Sequence, residues 1–322
     1  MSTRLQPTWM LAAVLLVACE PSLGNPPSLV TATRVLAVRG TPPEAAPGAT
    51  VKFDLLVASP AGTVGSPPAD WSFCTAHNPP ANNNIVSNAC LESSGVTAFG
   101  GPAPTASAAL PTDGCQLFGP NVPSPPQGQP PLAPVGADVT GGYYQPVRVE
   151  FSGLAADGSA SFSLERISCG VANSSADIAL TFTKTYTMNI NPVLSGVSAT
   201  ASGGAPTTVL APGEVTPVFT VSPGASITFT ASWPASSAET FPVYDATTYM
   251  LVTQRESLRL SWFASGGAFA DDITGVSGTD TDTSTSDVWT APSGAGVVHF
   301  WAVLRDSRGG MDFGAFDVTV GQ

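Results

Sequence analysis

The chain has 322 residues and a formal net charge of −12, with only 11% of residues charged. Its two Lys and nine Arg cannot build the clustered cationic surface that binding a phosphate backbone requires, which excludes nucleic acid as a partner. The 32 Gly and 31 Pro, with abundant Thr, Ser and Val, predict short strands joined by turns, an all-β chain. The excess of Arg over Lys and of Ala, Gly and Pro also fits a GC-rich genome.

The chain opens with Arg4 and the apolar run Trp9 to Ala18. That run is too short for a bilayer, which needs about 20 apolar residues, and matches the roughly 7–15 residues of a secretory h-region. Its end, Leu16-Val17-Ala18-Cys19, resembles the lipobox of bacterial lipoproteins. The resemblance implies a signal peptide over 1–18, removed before Cys19, whose thiol carries diacylglycerol. Small residues before the Cys let the scissile bond enter a peptidase cleft. Residues 19–33 read as a lipidated, Pro-rich tether, extended by composition. Glu20 after the lipidated Cys favours outer-membrane sorting. The membrane is then a partner through the anchor, and the protein is exported.

With Cys19 taken by lipid, Cys74, Cys90, Cys115 and Cys169 remain. Four cysteines in an oxidising envelope predict two disulfides among three connectivities. Cys74–Cys90 with Cys115–Cys169 is favoured, because the first pair flanks an Asn/Pro-rich turn and closes a local hairpin. A zinc site is the rival, but no Cys-x₂-Cys knuckle occurs.

The first folded unit is predicted over 34–191. Arg34 to Gly40 and Thr50 to Val57 are strands, the second with Val51, Phe53, Leu55 and Val57 on one face. Asp70 to Cys74 follows, with Trp71 as the candidate core tryptophan. This order resembles strands A, B and C of an immunoglobulin-like (Ig-like) sandwich. From about 75 to 142 the pattern dissolves into Pro, Gly and Asn, read as a long insertion pinned by Cys90 and Cys115. Alternation returns at Val147–Phe151, Ala160–Cys169 and Ile178–Ile190, three strands that close the sandwich.

Asn191-Pro192 marks a boundary, and a second unit over 192–322 repeats the plan. Its predicted core is Phe229, Trp233, Leu260, Trp262, Phe300, Leu304 and Phe316. Trp289-Thr290-Ala291-Pro292 and Asp306-Ser307-Arg308-Gly309-Gly310 resemble bacterial Ig-like and polycystic-kidney-disease-type surface modules. The stretches Trp71-Ser72-Phe73-Cys74 and Gly141 to Arg148 resemble lipoproteins of gliding, GC-rich soil bacteria that pair such a unit with a second Ig-like one. These resemblances imply two tandem Ig-like β-sandwiches and an envelope address, and no chemistry, since the fold hosts many functions.

Catalytic signatures are missing from the sequence. Only His77 and His299 occur, without a Gly-x-Ser-x-Gly elbow, and no enzyme activity is expected. No cofactor is expected either; Asp280 and Asp282 alternate in an acidic Ser/Thr loop that could hold Ca²⁺, but such loops are usually solvated turns. Asn173-Ser174-Ser175 has the form of a glycosylation triplet and is read as chance. Tyr143, Tyr144 and Trp301, the last expected outward beside His299, are candidate sugar- or partner-binding aromatics, with inter-domain packing as the plainer alternative. The expected function is a structural, adhesion or assembly role in the envelope, toward envelope proteins. Polysaccharide binding is the alternative, and an envelope enzyme a remote one.

Overall fold

The structure is a computed structural model that describes residues 25–77, 86–120, 127, 138–151 and 160–321. The predicted signal peptide, Cys19 and the start of the tether lie outside the described residues.

The first unit contains β1 (Arg34–Thr41), β2 (Glu44–Ala45), β3 (Thr50–Ser59), β4 (Gly62–Thr63) and β5 (Asp70–Cys74), then helix α1 (Asn88–Leu91). It continues with β6 (Val96–Gly100), β7 (Thr105–Ala109), α2 (Gly114–Leu117), β8 (Gly142–Glu150), β9 (Ser161–Ser168) and α3 (Ala176–Thr185). One sheet pairs β1, β4 and β7 with β3; the other runs β2-β9-β8-β5-β6. Between them Val51, Phe53, Trp71, Phe73, Val147, Val149 and Ile167 form the core. Trp71 is buried and its indole N–H donates to the Ala103 carbonyl at 2.9 Å.

The second unit contains β10 (Gly196–Ala201), β11 (Thr207–Leu210), β12 (Phe219–Val221), β13 (Ser226–Ser232), β14 (Thr240–Asp245) and β15 (Met250–Arg255). Then come β16 (Leu258–Ala264), β17 (Ala268–Phe269), β18 (Ile273–Val276), β19 (Ser284–Thr290), β20 (Gly296–Asp306) and β21 (Met311–Val320). Its sheets run β11-β10-β13-β19-β17 and β12-β21-β20-β16-β18. The wiring repeats that of the first unit: β1, β3 and β7 correspond to β10, β13 and β19. In each unit a short strand pairs parallel with the last strand of the opposite sheet, β2 with β9 and β12 with β21. Two tandem Ig-like sandwiches are therefore present. All seven core residues predicted for the second unit lie in one buried cluster.

Two expectations on the first unit are corrected. The segment 75–142 is not simply an insertion, because β6 pairs with β5 and β7 with β3, so it supplies strands to both sheets. Val-Thr-Ala-Phe-Gly carries strand-favouring Val, Thr and Phe, while the Ala-rich Thr-Ala-Ser-Ala-Ala becomes a strand because tertiary pairing outweighs intrinsic preference. Disulfides Cys74–Cys90 and Cys115–Cys169 tie this segment to β5 and to the end of β9. Residues 178–185 are helical rather than a closing strand. The Ser175 hydroxyl caps α3 by accepting the Ile178 N–H, and Asp177 sits in the first turn. Thr181, Thr183 and Thr185 donate their hydroxyls to carbonyls four residues back. That accommodates a Thr alternation that mimics a strand. Phe182 is buried while Leu180 stays 60% exposed, as one helical face requires. The Asn173-Ser174-Ser175 triplet thus forms the entry to this helix.

The units pack sheet to sheet. The outer face of β16, β20 and β21 presents Phe263, Trp301, Val303, Met311 and Phe313 to Val30, Leu36, Ala37, Leu56 and Ala58. A second tie is the β14–β15 hairpin, where the Tyr244 N–H donates to the Val139 carbonyl at 2.8 Å.

Candidate functional site

The joint between the sandwiches gathers most of the buried charged side chains among the described residues. Its centre is the β20–β21 turn, Asp306 to Gly310. The Asp306 carboxylate accepts the N–H groups of Arg308 (2.8 Å) and Gly310 (2.9 Å). Gly309 adopts φ +103°, and a Cβ on Gly310 would fall 2.2 Å from Asp306 Oδ2. Both glycines are needed for the turn to close on its own aspartate. This places the Asp-Ser-x-Gly-Gly motif in structural terms: it aims residue x, Arg308, into the joint.

Arg308 is 1% exposed. Its guanidinium donates to Glu256 (2.6 Å), Glu239 (2.9 Å), the Thr187 carbonyl (2.9 Å) and the Tyr186 hydroxyl (3.3 Å). It also lies 4.6 Å from the Phe241 ring centroid. From the first sandwich comes Glu44, fully buried, on β2 opposite Arg166 of β9. Arg166 Nε stands 3.3 Å from Glu44 Oε2 without a hydrogen bond. Its Nη2 instead donates to Thr140 Oγ1 and to the Tyr186 hydroxyl. Tyr186 in turn donates to Glu44, between 2.7 and 2.8 Å. The linker after α3 completes the joint, because the Asn189 N–H donates to Glu44 and its side-chain amide donates to Asp306. Beside it Arg39 bridges Asp54 of its own unit (2.9 Å) and Asp312 of the other (2.6 Å).

Four carboxylates, Glu44, Glu239, Glu256 and Asp306, thus surround two guanidiniums. Burial pushes the Glu256 carboxyl up to about 7, helped by the Asp306 charge and opposed by Arg308. Deeper in the first sandwich, burial and then the Glu44 charge push Glu165 up to about 9. Glu165 packs against the Gly40 backbone, where a Cβ would meet its Oε2 at 2.0 Å. General acid–base catalysis needs a group within reach of a substrate proton; the full burial of Glu44 and Glu256 makes this an arrangement for holding two bodies together.

The raised carboxyls set a pH dependence. A carboxyl raised in the folded state contributes stability that is fully present below the unfolded value near 4.5 and is lost as pH rises through the folded one. For Glu256 the loss spans about 4.5 to 7, and for Glu165 about 4.5 to 9. At pH 7 the Glu165 contribution amounts to a cost on the order of 3 kcal/mol. Glu165→Gln is expected to flatten the decline in melting temperature between pH 7 and 9 and to reduce that between 5 and 7 to the share Glu256 contributes. An unchanged decline in the variant above pH 7 would assign it to another group.

Of the three aromatics predicted as binding platforms, two are buried and Tyr144 stays partly exposed. Tyr143 is 3% exposed within the first core. Tyr144 lies on the outer face of β8, with the Arg166 guanidinium 6.0 Å from its ring centroid. Trp301 is 1% exposed, and its indole N–H donates to Thr63 Oγ1 of the first unit at 2.8 Å. Trp301 does point out of the second sandwich, but the first sandwich covers it. His299 packs beside it under Gly62 and contacts Asp317 at 2.8 Å. His77 stands half-buried just after β5. Asp280 accepts the Asp282 N–H at 3.1 Å and, through its carbonyl, the Arg255 guanidinium. Among the described residues no three His, Cys, Asp or Glu side chains gather as a metal site. Sequence reading missed Glu44, Arg166, Tyr186, Glu256 and Arg308. No local signal marked them: Glu44 sits in a Pro/Ala-rich stretch and Arg166 in the Ser-rich strand Ser161–Ser168.

A cleft of about 870 Å³ opens beside the joint. Its walls are Val35 to Val38 of β1, Ser161 to Leu164 of β9, Val86, Leu91 and Tyr144, with Arg305, Asp306, Ser307, Gly309 and Met311 of the second unit.

No family model matches the chain, and no curated protein matches it. Among solved structures it is similar to the D00-D0 domain of Intimin, with 12% identity, TM-score 0.23, and coverage of 89% of this chain and 100% of that one. The Yersinia pseudotuberculosis adhesin InvE gives 12% identity and TM-score 0.22 over 90% of this chain and 59% of that one. The Streptomyces avermitilis alpha-L-rhamnosidase gives 16% identity and TM-score 0.20 over 88% and 24%. Likenesses this distant leave the Ig-like assignment resting on the sheet topology itself.

Proposed function

We propose that this is a lipid-anchored, non-catalytic protein of the bacterial outer membrane, in which two locked Ig-like sandwiches act as a rigid spacer for adhesion or assembly. The observation that carries the reading is the joint. A shared apolar interface and a buried network of two Arg and four carboxylates hold the units as one body, where a tandem array on a flexible linker would have a small, polar contact. The lipobox and Pro-rich tether supply the address. For polysaccharide stacking, the alternative reading, Tyr143 and Trp301 are buried, and Tyr144 alone of the three candidates keeps a partly exposed ring. The anchor is tested by Cys19→Ser in the full-length chain. Wild-type protein is expected to stay with membranes through a carbonate wash and to partition into detergent, and the variant to leave both. A variant that still fractionates with washed membranes would remove the lipoprotein reading.

A further inference from the structure

Ahead of β1 the chain is fixed to one end of the second sandwich. The Val30 N–H donates to the Ala264 carbonyl at 2.8 Å, and the Ala264 N–H donates to the Ser28 carbonyl at 2.9 Å. Ala264 is the last residue of β16, Val30 is fully buried, and the Arg34 guanidinium donates to the Pro27 carbonyl. Ser28 stands nine residues after Cys19. An anchor on that cysteine therefore holds this end within about 32 Å of the lipid, the limit of a fully extended chain.

Four turns form that end, because the strand registers bring Ala201 to Ile227, Ser226 to Thr290 and Ala264 to Phe300. They span 202–206, 222–225, 265–267 and 291–295, and none holds a charged residue. The uncharged turn Ser59 to Gly62 of the first sandwich continues this surface, with Gly62 beside His299. Carboxylates of the second sandwich are set back from it: Asp317 lies opposite His299 on β21, and Asp271 turns its N–H to Asp287. On the first sandwich Asp70 and Glu150 stand at the same end, the latter paired with Arg148 at 2.7 Å. The opposite end of the second sandwich is acidic, with Glu214 between β11 and β12, and Asp280 and Asp282 between β18 and β19. We infer that the charge-free end is a membrane-facing surface, resting against the anionic headgroups of the bilayer that holds the anchor, with the Glu214 and Asp282 end directed away. In a body of net charge −12, the end without carboxylates is repelled least by an anionic leaflet, whose field reaches about a Debye length, roughly 8 Å. Tether length and charge distribution thus select the same end. The inference rests on the lipoprotein reading and adds an orientation to it.

The test reconstitutes the full-length protein, recovered from membranes in detergent, into vesicles of phosphatidylcholine and phosphatidylglycerol that contain a rhodamine-labelled lipid. One fluorescein is attached at Ser293→Cys, in the charge-free end, or at Glu214→Cys, in the acidic end. Both positions are exposed turns, and Cys74, Cys90, Cys115 and Cys169 are taken up in disulfides. Strand β20 alone, with its 11 residues, separates the two ends by about 36 Å, so transfer to the lipid should be about twofold or more as efficient from the Ser293 position as from the Glu214 position. Flotation of the vesicles reads the anchor separately. Protein that floats but gives equal transfer from the two positions, or more from Glu214, would overturn the orientation and leave the anchor standing. Protein that does not float would remove the lipoprotein reading and the orientation with it.

Discussion

Arg308→Ala is expected to destabilise the whole chain by about 3–5 kcal/mol, the cost of stranding a buried carboxylate without its partner. The guanidinium is within 2.9 Å of both Glu256 and Glu239 and 3.9 Å from Glu44. Removing it leaves three carboxylates facing one another around a hole, with Arg166 the one remaining cation of the pair. The loss should appear as a lowered denaturant midpoint of the joined body, which the apolar interface still holds together. Arg308→Lys should recover part of the stability, because it keeps the charge but cannot match the fork that reaches Glu256, Glu239 and Thr187 at once. A midpoint within about 0.5 kcal/mol of wild type for Arg308→Ala, the range of ordinary surface changes, would mean that the joint is not held by this network.

Period-two patterns revealed the strands whose one face meets their own core, such as Val51 and Phe53 on β3 or Phe300 and Leu304 on β20. They failed where the pattern was degenerate. Ile178 to Thr185 alternates like a strand, but Ser175 and Asp177 open it as a helix. Strands β6 and β7 carry few large apolar residues and take their conformation from β5 and β3. The joint was illegible for a different reason. Glu44 and Arg166 are 122 positions apart in the chain and become neighbours only because β2 crosses to the opposite sheet from β1. The glycines that admit such charges, Gly40 against Glu165 and Gly142 against Arg166, look in sequence like turn residues.

Trp301 shows the same boundary of sequence reading and gives the sharpest test of it. Alternation correctly opposes Trp301 to Phe300, which belongs to the second core. What alternation cannot tell is whether the opposite face meets water or another domain. Here it meets Val30, Leu36, Leu56 and Ala58, and the indole N–H is taken up by Thr63. In the full chain Trp301→Ala should therefore cost about 3–5 kcal/mol, as for any buried aromatic. In an isolated segment of residues 192–322 the same change should cost under about 1 kcal/mol, because the covering sandwich is absent. Trp262→Ala, in the core of the second sandwich at 1% exposure, should be costly in both settings and serves as the internal standard. The isolated segment should show β-type circular dichroism yet self-associate, since Phe263, Trp301, Val303 and Phe313 would form an uncovered apolar patch. Equal costs of Trp301→Ala in the two settings would mean that the first sandwich contributes nothing to holding that ring. The locked two-domain body would then lose its apolar half, leaving only the ion network to join the units.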